Sequence, residues 1–177
     1  MAIELIRNLG AADGRSVPIT VELTWQERQR SRLAVMLDTG EPAAIVLPRG
    51  EPMQSGDVLS TEDGQQVRVA SALEEILEIR AQSPFELMRL TYHLANRHAP
   101  AMLTTDAIYI EPDPVLADLA RHLGGIVSTV HRAFEPERGA YHGAHHHDGH
   151  HHPGELDEED RTFGNIGEAL SRAAHAR

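Results

Sequence analysis

After Phe134 the recurrence of apolar residues that builds a core stops, and seven of the twelve histidines crowd into residues 142 to 152. They are His142, His145, His146, His147, His150, His151 and His152, spaced by Gly143, Ala144, Asp148 and Gly149. An acidic run follows, Glu155, Asp157, Glu158, Glu159 and Asp160, and then a short segment to Arg177. So little apolar area cannot offset the entropy of ordering a backbone, and the expectation is a mobile tail over 142–177. Whatever folds must do so with the preceding residues, enough for one domain or two small ones.

That folding part is aliphatic: 41% of the 177 residues are hydrophobic but only 4% aromatic. From Ile3 to about Val69, short apolar runs are cut by turn pairs such as Asp13-Gly14, Thr39-Gly40 and Asp63-Gly64. Period-two stretches (Val17, Ile19, Val21, Leu23; then Leu33, Val35, Leu37) read as strands with one buried face. Around Ser71 the texture changes, and two domains are expected, 1–72 and 73–141. In the second, Leu77 and Ile79 alternate with Glu78 and Arg80 in a strand over 73–81. Ser83-Pro84 opens a helix with Glu86 completing a capping box. Leu87, Leu90, Thr91, Leu94 and His98 extend one stripe along it, and Pro100 is expected to end it. Met102 to Ile110 reads as two short strands. Asp113-Pro114 starts a second helix with Val115, Leu116, Leu119 and Leu123 on one face, Gly124 closes it, and Ile126 to Phe134 is a last strand. The class is α+β: a β-rich N-terminal domain, then a ferredoxin-like βαββαβ domain, then the tail.

The chain has no cysteine, which removes disulfides, thiolate metal sites and a cysteine nucleophile. Any metal must be held by imidazole and oxygen. The formal charge of -11 disfavours nucleic acid and anionic membranes as partners and favours cations. No apolar run approaches a membrane span, and Met1 to Arg7 lacks the pattern of a secretion signal, so a soluble cytoplasmic protein is expected. Phosphate loops, nucleophile elbows, zinc-hydrolase helices and dinucleotide fingerprints are missing, and no enzyme activity is expected.

The histidine tract is the strongest chemical feature. Neutral imidazole offers its lone pair at pH 7, and small spacers let two to four rings surround one ion. Nickel, zinc and copper all suit such donors, and composition does not choose among them. His93 and His98 are sharper. Five residues apart, they turn a helix by about 140 degrees and cannot chelate one ion from one regular helix. If two copies of the chain meet at the helix end, two His98 side chains can share an ion. The plainer alternative is that His98 only caps the last turn, where a cation suits the helix dipole. His122, His131 and His175 read as structural or solvated. Arg28, Arg30 and Arg32 read as a solvated strand face, with a docking patch for an acidic partner as the alternative.

Several segments together resemble the urease accessory protein UreE family of nickel metallochaperones. They are residues 23–33 (Leu-Thr-Trp-Gln-Glu-Arg-Gln-Arg-Ser-Arg-Leu), Leu47-Pro48-Arg49-Gly50, Gly56-Asp57-Val58-Leu59, residues 92–98 ending in Asn96-Arg97-His98, and residues 134–141 ending in Gly139-Ala140-Tyr141. The resemblance implies an N-terminal domain similar to chaperone peptide-binding modules and a metal-binding domain through which a homodimer forms. It also implies an interface nickel held by His98, with His93 as an auxiliary ligand, and delivery of Ni(II) to urease through the urease accessory GTPase. Some members carry a further histidine where this chain has Pro112-Asp113-Pro114, which implies that site is absent here. Two other classes of function remain open: a metal buffer acting through the tail, and a peptide-binding interaction module.

Overall fold

In the computed structural model, residues 3–50 and 52–137 are described. The first seventy residues form two sheets. The first joins β1 (Ile3–Leu5), β5 (Pro42–Val46) and β4 (Arg32–Met36), with β1 parallel and β4 antiparallel to the central β5. The second has the order β2 (Arg7–Ala11), β6 (Asp57–Ser60), β7 (Gln66–Ser71) and β3 (Thr20–Leu23). Period-two patterning explains the core between them: Leu5, Val21, Leu23, Ile45, Leu59, Val67 and Val69 pack into one buried cluster. The expectation of a strand-rich first region holds, with β3 confined to the end of the Val17–Leu23 alternation.

A single turn of helix interrupts this region, α1 (Trp25–Arg28). It exists because Thr24 and Glu27 cap each other: the Glu27 N–H donates to Thr24 Oγ1 at 3.3 Å, and the Thr24 N–H donates to Glu27 Oε2 at 2.8 Å. The expected exposed strand through Arg28, Arg30 and Arg32 is therefore corrected. Arg28 is helical and buried at 3% exposure, Arg30 lies in the following turn, and only Arg32 begins a strand.

From Leu73 the expected strand and helix order is present: β8 (Leu73–Arg80), α2 (Pro84–Ala95), β9 (Ala101–Leu103), β10 (Ile108–Ile110), α3 (Pro114–His122) and β11 (Ile126–Ala133). The four strands lie in the order β11-β8-β10-β9, all antiparallel, the split βαβ arrangement. Leu90, Leu94, Ile79, Ile108, Ile110 and Ala120 form the core between helices and sheet. The other sheet face is not simply wet. Ile76, Tyr109 and Phe134 are buried there, and Glu78 is held by the Tyr109 hydroxyl at 2.9 Å and by Arg80 Nη2 at 2.9 Å. Those contacts, Arg80 first, hold the Glu78 carboxyl below the usual carboxylate range.

The second helix keeps part of its expected face: Leu116 and Leu123 pack against the core, but Val115 is 72% exposed, and Ala117 and Ala120 are buried in its place. Asp113 caps it, its Oδ1 accepting the N–H groups of Val115 (2.8 Å) and Leu116 (3.0 Å). Its exit uses both glycines. Gly124 takes φ of +90°, the Gly125 N–H donates to the Ala120 carbonyl at 2.8 Å, and a Cβ on Gly125 would lie 2.9 Å from that oxygen. Among the described residues, no helix is long and apolar enough to cross a membrane.

Candidate metal and partner sites

Helix α2 delivers the sharpest site candidate, though not as the hydrophobic stripe predicts. Ser83 caps its start and Pro84 occupies its first turn, as expected. Its end comes early. The helix stops at Ala95, Asn96 caps it, and the chain tightens, with the Arg97 N–H donating to Leu94 O and the His98 N–H donating to Ala95 O, each at 2.9 Å. His98 then adopts φ of +54°, the left-handed region that residues bearing a Cβ rarely enter. The expectation that His98 extends the buried stripe, with Pro100 as the stop, is thus corrected: His98 lies beyond the helix and is exposed. The reason is geometric, since β9 begins at Ala101 and the chain must reverse before it. A left-handed residue directs its side chain away from the stripe that Leu87, Leu90 and Leu94 form.

His93 stays in the last helical turn, half-buried, with its ring edge-on to Tyr92 at a centroid separation of 5.4 Å. Among the described residues, no three side chains of His, Asp or Glu converge in a way that could enclose an ion. An ion held by His98 therefore needs donors from elsewhere: another copy of the chain, the histidine tract, or water. His142, His145, His146, His147, His150, His151 and His152 lie outside the described residues. His122 and His131 are exposed, the first ending α3 and the second in β11.

Two features of this part escape the hydrophobic pattern. Phe85, Met88 and Tyr92, exposed by 69%, 64% and 65%, fall at i, i+3 and i+7 and make a second apolar stripe, opposite the buried Leu90 and Leu94. Their spacing is visible in the sequence, but the hydrophobic pattern predicts only the buried face of a helix and does not single this stripe out. The second is the setting of Arg28, which no spacing announces. Its Nη1 donates to Leu23 O (3.0 Å) and Ser71 Oγ (2.7 Å), and its Nη2 donates to Phe134 O (2.6 Å), where β11 ends. Burial lowers the guanidinium pKa, while Glu135 and Glu74 oppose that shift. Around it the Trp25 N–H donates to Glu74 Oε1 at 2.9 Å, Gln26 Nε2 donates to Glu111 Oε1 at 2.8 Å, and the Trp25 and Phe134 rings meet edge-on at 5.9 Å. Helix α1 is thus a bracket joining the first sheets to the last one.

A third feature borders the first two sheets. A groove of about 650 Å³ runs along Ile6 to Gly10 and is walled by Leu47, Pro48, Arg49 and Pro52. Arg7 and Arg49 are exposed on it, whereas Asp57 is 8% exposed, its Oδ2 accepting Asn8 Nδ2 (2.7 Å) and the Gln54 N–H (2.9 Å).

Comparison with known proteins gives these features a family. Residues 3–72 match the model of the UreE urease accessory protein N-terminal domain, and residues 74–159 match that of its C-terminal domain. Urease accessory proteins UreE of Burkholderia orbicola (strain AU 1054) and Burkholderia ambifaria are each 50% identical over 126 residues, 71% of this chain and 62% of theirs. That of Ralstonia nicotianae is 49% identical over 123 residues, 70% of this chain and 58% of its own. The chain therefore spans about 62% of the length of the first two curated relatives. With the two family models lying in order along the strand-rich region and the split βαβ region, this chain belongs to the UreE urease accessory protein family.

Proposed function

We propose that this chain takes part in urease maturation as a carrier of Ni(II), working in the cytoplasm as a homodimer and performing no chemistry on a substrate. His98 is the observation that carries the reading: an exposed imidazole just beyond a helix whose outer face, Phe85, Met88 and Tyr92, is apolar and open. Pairing that face with its copy removes apolar area from water and draws two helix ends toward one axis. Two His98 rings then share one nickel, His93 is a candidate auxiliary ligand, and the seven histidines of 142–152 complete the shell or recruit further ions. Imidazole and water make a shell that opens by ligand exchange, which delivery requires. Zn(II) and Cu(II) compete for the same donors. The receivers are urease apoprotein and the urease accessory GTPase complex, and neither nucleic acid nor membrane is a partner. A division of labour follows, with 73–141 dimerising and holding metal, 1–72 engaging partners, and 142–177 gathering ions.

The test is a nickel titration with assembly mass recorded at each step, on the full chain, on a chain ending at Tyr141, and on His98→Ala. The reading expects one ion per dimer to survive tail removal and to disappear in His98→Ala. Retention of that ion in His98→Ala, or loss of all nickel with the tail, overturns it, and the second result identifies a metal buffer.

A further inference from the structure

The three-stranded first sheet is apolar on both faces, and only one of them is covered. Leu33-Ala34-Val35-Met36-Leu37 and Ala43-Ala44-Ile45-Val46-Leu47 contain no polar residue. A strand with one face in water alternates, whereas an unbroken apolar run belongs to a strand covered on both. The odd-numbered positions account for one cover: Ala43, Ile45 and Leu47 are buried in the first core, and Leu33 and Val35 pack against it. The even-numbered side chains of β4 and β5 point the other way. Register sets them in three rows, Arg32 beside Val46, Ala34 beside Ala44, and Met36 beside Pro42, with Glu4 of β1 next to Ala44. Ala34 and Met36 are exposed, Met36 by 60%, and Ala44 and Val46 are half-buried.

Charge at the two ends of this face selects its occupant. Where β4 ends and β5 begins, the turn carries the exposed acids Asp38 and Glu41. Where β4 begins and β5 ends stand the exposed Arg30, Arg32 and Arg49. The face is thus acidic at one end, basic at the other and apolar between. A two-fold axis lying in the face and across its strands lays the basic end of one copy on the acidic end of the other, twice per pair. The alanine row at the centre lets two such faces approach to the ~10 Å of packed sheets. A partner of uniform charge is attracted at one end and repelled at the other, so the face suits its own copy better than a uniformly acidic or basic protein.

We propose that a second copy of this chain covers the outer face of β1, β5 and β4, with strand ends exchanged so that Arg32 meets Glu41 of the partner subunit. This contact uses none of Phe85, Met88 and Tyr92 and stands whether or not two α2 helices meet. Three strands and five residues make an apolar face of roughly 14 by 17 Å, so the association is weak and builds only at high chain concentration.

Sedimentation velocity of the full chain from about 10 μM to about 1 mM tests it, with EDTA present so that no metal bridge adds mass. Average mass is expected to rise across that range. Arg32→Glu and Glu41→Arg each set like charges against each other and are expected to weaken the association about tenfold. Their thermal melts should stay unchanged, because both side chains are exposed. Mixing the two variants in equal amounts restores opposite charges at both ends and is expected to return the mass to that of the parent. Constant mass across the range, growth that neither charge variant diminishes, or a mixture no heavier than the variants alone overturns the proposal. Growth that only Phe85→Gln diminishes assigns the contact to α2 and overturns it as well.

Discussion

Arg28 and His98 are both basic side chains at or just beyond the end of a helix, and they occupy opposite environments. Arg28 closes α1, is 3% exposed, and spends its guanidinium on Leu23 O, Ser71 Oγ and Phe134 O. His98 follows α2 in a left-handed backbone and faces solvent. Charge type does not decide the role of either; the number of fixed acceptors around it does. A guanidinium with three acceptors in a buried pocket is a permanent strut, because removing it takes the donor from Phe134 O and weakens the links to Leu23 O and Ser71 at once. An exposed imidazole is free to exchange partners, which suits a ligand that must let go.

The largest expected effect is therefore at the strut. Arg28→Met takes the donor from the buried Phe134 carbonyl and one of two donors from Leu23 O, and is expected to cost about 2 kcal/mol of stability in urea unfolding. Arg28→Lys keeps the charge but not the planar fork and should recover only part of it. A neutral Arg28→Met would abolish the contrast between the two residues.

A pH series sharpens the same contrast between held and free groups. The Glu78 carboxyl, lowered by Arg80 and then by Tyr109, contributes stability that is present above its unfolded value of roughly 4.3 and lost as pH falls through its lower folded value. The melting temperature of the parent chain should exceed that of Glu78→Gln at pH 7, and the gap should narrow as pH falls below the unfolded value and through the lower folded one. A gap independent of pH would show that packing, not ionisation, holds the residue.

At the free end the changes should be small and of opposite sign. His98→Gly relieves a φ of +54° and is expected to add about 0.5 to 1 kcal/mol to stability while removing the proposed nickel ligand. Loss of stability there would mean that the His98 side chain is held, not free. Smallest of all, Phe85→Gln should leave the stability of the dilute chain within about 0.5 kcal/mol, since Phe85 is 69% exposed. Its effect should appear instead as a weaker dimer in sedimentation at rising concentration.

Much of the second region can be read directly from residue order. Ser83-Pro84 and Asp113-Pro114 act through atoms two or three residues away, so both helix starts fall where the caps stand. The helix ends are less direct. Pro100 is a valid stop signal, but the position of β9 ends α2 five residues before it, at Ala95. Val115 has the hydrophobicity of a core residue and the spacing of one, yet Ala117 and Ala120 take the inner face because the sheet approaches there.

Local chemistry in this chain determined what acts over a few residues: caps, turns, strand alternation, the histidine tract and the family motifs that quote it. Tertiary structure decided what depends on neighbours distant in sequence. Arg28 is buried because Ser71 and Phe134 arrive from 43 and 106 residues away. The β2 groove opens because β1 and β5 part after Leu5 and Ile45. Burial and cavity shape are sums over several elements, and no window of sequence contains the terms of those sums.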